Sequence, residues 1–194
     1  LITQPYRGLP FDLLQEWSFP PVPHVLHPPL SPGCRLTGLA RSADRTHVVA
    51  TTEDAVFLVS PQDGTAGRVG ETTNSGTPAF VGRRAFGHRS GSGLWSFDPE
   101  SGDFSTDSCS LPANGNWTGR GPVWASGCGG STQYVTDAEG KLFAWSPQGL
   151  ERHVGTFPLT PVSATVVARD GRVFGFCGEG MARLCVYDPG RESI

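Results

Sequence analysis

Leu94-Trp95-Ser96-Phe97-Asp98-Pro99 has three counterparts in the chain: Val56-Phe57-Leu58-Val59-Ser60-Pro61, Leu142-Phe143-Ala144-Trp145-Ser146-Pro147 and Leu184-Cys185-Val186-Tyr187-Asp188-Pro189. Each is rich in β-branched and aromatic residues, which favour a pleated, half-buried strand. Each closes with Ser or Asp followed by Pro. Proline has no N–H to give to a ladder, so the strand stops there. Polar and glycine residues come next, as in Gln62-Asp63-Gly64, Glu100-Ser101-Gly102 and Gln148-Gly149, and form turns. The four prolines stand 38, 48 and 42 residues apart, a spacing that suits a repeated four-stranded unit.

Further strands flank each copy of the motif (strand c). An apolar strand b precedes it at residues 47–51, 85–89, 133–137 and 173–177, and a strand a lies earlier at 36–40, 78–81, 122–125 and 164–168. A strand d follows the first three motifs at 66–70, 103–108 and 151–157. Counting back from each proline pairs Val49 with Phe57, Gly87 with Trp95, Val135 with Phe143 and Cys177 with Cys185 across the b–c hairpins. Small opposite large is what cross-strand packing requires. The last pair places two cysteines side by side and makes them a disulfide candidate.

The expected fold is all-β: a β-propeller of about four four-stranded antiparallel blades in a single domain over 1–194. The blades span approximately 34–73, 74–114, 115–160 and 161–194. The fourth lacks a strand d. Leu13-Leu14-Gln15-Glu16-Trp17-Ser18-Phe19-Pro20 resembles the end of blade three, so residues 1–33 are expected to supply a closing strand and a Pro-rich crossing into blade one. A closed four-bladed ring, an eight-bladed ring built by two chains and a piece of a longer propeller all satisfy this count.

The strand ending in Asp-Pro or Ser-Pro resembles blades of the kelch-like and lyase-like propellers over about 34–190. The kelch Gly-Gly doublet at the end of strand b is missing, as is the Trp of strand d apart from Trp17. The resemblance implies the fold and carries over no catalytic residue, because such folds host binding modules, scaffolds and enzymes alike.

Composition narrows the classes. Gly (26) and Pro (17) exceed a fifth of the 194 residues, in keeping with many short strands and tight turns. The net charge is −3 and the arginines are mostly scattered, which argues against a nucleic-acid partner. No apolar run approaches a membrane span. The five cysteines form no CxxC pair, and Cys34, Cys109 and Cys128 have no assigned partner; neither a metal nor a cofactor is expected. A start at Leu1 is read as processing or a fragment, and the expected setting is extracellular or periplasmic.

Propeller loops after strands b and d gather near the axis. They carry His88 and Arg89, Asp137 and Glu139, and Glu179, with Asn114, Asn116 and Trp117 in the longest polar loop. His88 beside Arg89 has the makings of a base and an electrostatic clamp for a carboxylated substrate, with Asp137 and Glu179 as acid–base partners. An ordinary polar hairpin tip accounts for the same residues. Trp117 and Asn116 together are a candidate sugar platform, with His88 and Arg89 as further ligand contacts. The first expectation is a binding or interaction module for carbohydrate or protein. The alternatives are a polysaccharide lyase or hydrolase and a structural part of a larger propeller.

Overall fold

The computed structural model describes residues 35–61, 65–73, 76–106, 109–119, 122–126, 132–180 and 182–194. Residues 1–33, including the expected closing strand, lie outside them. Among the described residues there are fifteen strands and no helix.

The strands form successive antiparallel units. The first contains β1 (Leu36–Arg41), β2 (Val48–Thr52), β3 (Ala55–Val59) and β4 (Ala66–Glu71). The second contains β5 (Ala79–Val81), β6 (Arg84–His88), β7 (Leu94–Phe97) and β8 (Phe104–Ser105). The third contains β9 (Val123–Ser126), β10 (Gln133–Thr136), β11 (Lys141–Trp145) and β12 (Glu151–Thr156). The fourth contains β13 (Val162–Val167), β14 (Val173–Cys177) and β15 (Arg183–Tyr187). Units three and four are joined through their first strands, with β9 parallel to β13 and Ala125 opposite Thr165.

The repeated Ser/Asp-Pro ending has one structural job. The residue before each proline donates its N–H across the following turn: Ser60 to Thr65 O at 2.9 Å, Asp98 to Asp103 O at 3.0 Å, Ser146 to Leu150 O at 3.0 Å and Asp188 to Ser193 O at 2.9 Å. Proline, which has no such donor, occupies the next position inside the turn.

Apolar faces of neighbouring units bury one another. Val49 and Val56 of unit one meet Phe80, Ala85, Trp95 and Phe97 of unit two. Phe86 and Leu94 of unit two meet Trp124, Val135, Phe143 and Trp145 of unit three. Ala125, Leu142 and Phe157 of unit three meet Val162, Val173 and Tyr187 of unit four. Each fully buried large side chain contributes roughly 1.5–3 kcal/mol by leaving water.

The expected register holds in units two and three, where Gly87 faces Trp95 and Val135 faces Phe143. It is corrected in the other two. In unit one Val49 faces Leu58, and Phe57 faces Ala50. The b–c turn there has only two residues, Glu53 and Asp54, closed by Ala55 N–H donating to Thr52 Oγ1 at 3.1 Å. That one-residue slip turns Phe57 to the opposite face, where it packs with Ala50 and Ala55. In unit four Cys177 faces Arg183, and Cys185 faces Gly175. A two-residue slip preserves the face, so both cysteines still point into the cluster shared with unit three.

Gly87 is required by this packing: a Cβ there would collide with the Trp95 indole. Gly87→Val is expected to lower stability by about 1–3 kcal/mol in urea unfolding, the usual cost of overpacking. Gly67→Ala, in a strand position with open space around it, should change stability by less than about 0.5 kcal/mol. Equal effects would refute the glycine–indole pairing.

Candidate functional site

The turns after the b strands meet the loops after the d strands at one end of the stack, where backbone hydrogen bonds join them. Thr72 N–H donates to Asp54 O at 3.0 Å, Leu111 N–H to Ser92 O at 2.7 Å and Phe157 N–H to Gly140 O at 2.8 Å. This end carries the residues singled out in the sequence.

His88 closes β6 and is buried. Its Nε2 lies 2.7 Å from Gly91 O. A carbonyl only accepts, so Nε2 carries the hydrogen and this edge of the ring serves its own hairpin. Arg89 is half-buried beside it, its backbone N–H donating to Gly93 O at 3.0 Å. Asp137 is buried and accepts three backbone hydrogen bonds, from Asn116 N–H at 2.8 Å, Glu139 N–H at 2.9 Å and Lys141 N–H at 2.8 Å. It therefore organises a turn and fastens the 109–119 loop to it. Glu139 pairs with Lys141 at 2.8 Å, and that bond, followed by one from Asn116, holds its carboxyl below the ordinary range. Glu179 is exposed on the β14–β15 turn.

Trp117 departs from the expected sugar platform. The ring is buried against Gly115 and Phe143, and Nε1 donates to Pro112 O at 2.7 Å. Both the apolar face and the polar edge are thus engaged inside the fold. The neighbouring Asn116 accepts a hydrogen bond from the Thr118 hydroxyl at 2.7 Å, which shapes the loop.

Away from these hairpins, the first strands of units one, two and three border a cavity of about 470 Å³. Arg41 and Arg45 lie on its unit-one side, Pro78 and Phe80 on its unit-two side, and Trp124 and Gln133 on its unit-three side. The loop carrying Arg45 is set by Asp44, which accepts from the Ser42 hydroxyl at 2.6 Å and from Thr46 N–H and hydroxyl at 3.1 and 2.8 Å. These bonds, that from Ser42 foremost, hold the Asp44 carboxyl down to about 2. Arg45 itself has a left-handed backbone, with φ of 66°.

Comparison with solved structures decides the architecture. The chain superposes on the Dos1 propeller with a TM-score of 0.57 at 10% identity, covering 77% of this chain and 41% of that one. It superposes on the β-propeller domain of Cps50 (Swd1) from Myceliophteria thermophila with a TM-score of 0.57 at 10% identity, covering 79% and 52%. The fold is a β-propeller. The four units are its blades, and the described part of blade four has strands a, b and c.

The computationally designed Ika4 protein matches the same propeller with a TM-score of 0.55 at 13% identity, and there the match covers 79% of this chain and 91% of that one. This chain thus spans about half the length of the Dos1 and Cps50 propeller chains and nearly all of the designed one. No protein-family model and no curated protein matches the sequence.

The propeller cavity was missed by a sequence reading centred on loop residues. Its polar wall comes from strand positions and from the a–b loop of blade one. Gln133, a buried amide at the start of a strand, was the available signal.

Cys177 and Cys185 are both free and close enough for their thiols to hydrogen-bond. Burial above all, with the Cys185 neighbour second, pushes the Cys177 thiol from 9.0 up to about 12. The folded state therefore favours the protonated thiol. That contribution to stability is complete below pH 9 and is lost as pH rises toward about 12. Native-state alkylation followed by peptide mapping should leave Cys177 unmodified at pH 9. Rapid labelling while the protein remains folded would contradict this placement.

Proposed function

We propose that this chain is a propeller interaction module that works as part of a larger ring, its fourth blade docking on a second copy. The supporting observation is the outward face of blade four. On that face Val166 is 45% exposed, Phe176 48% and Leu184 64%. Phe176 and Leu184 are directly opposed across β14 and β15, so they form one patch. In blades one to three the corresponding face is covered by the next blade. Apolar surface repeated in register with buried interfaces favours an adjoining sheet as its cover. Two copies would also bring the blade number toward that of the propellers this chain half spans.

A second reading gives the module a carbohydrate ligand, as a binder or as a polysaccharide-acting enzyme. The cavity beside Trp124 and Gln133 supports this reading with an indole and an amide. The structural hydrogen bonds of His88 and Asp137 favour the binder over the enzyme. An extracellular or periplasmic setting belongs to the same proposal.

Sedimentation velocity at micromolar concentration tests the assembly. The expected species has twice the 20.6 kDa chain mass. Leu184→Glu should give a monomer with an unchanged far-UV circular dichroism spectrum, because this side chain is mostly exposed. A wild-type monomer, or a dimer indifferent to Leu184→Glu, would overturn the proposal.

A further inference from the structure

We propose that the cavity bordered by β1, β5 and β9 binds an acidic sugar, a ring bearing both a carboxylate and hydroxyl groups. The inference rests on the carbohydrate reading above and specifies its site and chemistry.

Two buried polar groups in the wall point to hydroxyl recognition. Gln133 is 2% exposed, and its Nε2 donates to Ala125 O at 2.6 Å. That bond fixes the amide and leaves Oε1 as a buried acceptor with no partner among the described residues. Trp124 is 7% exposed, and its Nε1–H is a buried donor with no partner among the described residues. Leaving such groups unpaired is costly, so a partner for each is favoured. Both atoms lie beneath the surface of the wall, so a ligand reaches them by displacing what covers them; a hydroxyl donates and accepts, and a polyhydroxylated ring offers the complement of both.

The charge at this cavity is positive. Arg41 and Arg45 border it and have no ion-pair partner among the described residues. Arg45 is held in its left-handed conformation next to Asp44, whose carboxyl is occupied by Ser42 and Thr46. A guanidinium binds a carboxylate through two parallel N–H donors, which selects an acidic sugar over a neutral one. Pro78 and Phe80 on the remaining side supply apolar surface for the ring carbons. The volume of about 470 Å³ lies within the usual range of small-ligand pockets, roughly 300–1,000 Å³.

Titration calorimetry with a digalacturonate, a neutral digalactoside and glutarate separates the elements of this inference. Binding of the digalacturonate is expected to exceed that of either control by about tenfold and to weaken with salt. Arg45→Gln and Arg41→Gln should each remove most of that preference, with urea stability unchanged because both side chains are exposed. Equal binding of the neutral digalactoside would overturn the acidic specificity and leave the carbohydrate reading standing. Equal binding of glutarate would overturn the hydroxyl recognition. Absence of saccharide binding would overturn both the inference and the carbohydrate reading. Selective binding unaffected by either arginine substitution would overturn the assigned site.

Discussion

Burial of one blade's apolar face against the next is the constraint on which this structure depends. A three- or four-stranded antiparallel sheet has two faces and cannot bury both alone. Successive blades solve this by stacking, and the large buried rings lie at the contacts. Trp95 serves the first contact, Trp145 and Phe143 the second, Tyr187 and Phe157 the third. Small residues set the spacing. Gly87 admits the Trp95 indole, and Gly175 admits Phe157, whose ring lies 2.7 Å from where a Cβ would stand. The turn chemistry at the Ser/Asp-Pro positions then returns the chain for the next strand.

The same constraint separates structural polarity from polarity that remains available. At the hairpin end, Asp137, Asn116 and His88 form hydrogen bonds that hold loops in place. At the cavity bordered by the first strands of three blades, Gln133 and Trp124 carry polar atoms without partners among the described residues. Blade four has a covered face toward blade three and an exposed apolar face on the other side. The proposed assembly and the proposed ligand both follow from surfaces that the stacking leaves uncommitted.

Strand order was legible because alternation and the recurring proline depend on nearest neighbours in sequence. All fifteen expected strands of the blades appear within a few residues of their expected positions. Register was legible where the b–c turn is longer, five residues at Gly87–Trp95 and four at Val135–Phe143. It failed at Val49–Phe57 because a two-residue turn is an equally good solution for Thr52-Glu53-Asp54-Ala55, and choosing it reverses every side chain. The cysteines remained neighbours despite their shift because an even slip preserves the face. The fate of Trp117 was not legible: a Trp among Asn and Gly has the composition of an exposed loop, and part of the surface that buries it comes from Phe143, distant in sequence. The cavity was hidden for the same reason, since Arg45, Phe80 and Trp124 come together only through three separate blades.

Hydrogen-exchange mass spectrometry of the Leu184→Glu monomer tests the stacking most directly. Exchange should be slowest in the β6–β7 and β10–β11 hairpins, which have blades on both sides, and faster in β15, which borders the exposed face of blade four. Protection of β15 equal to that of β11 in the isolated monomer, or uniformly fast exchange across all four blades, would contradict the account.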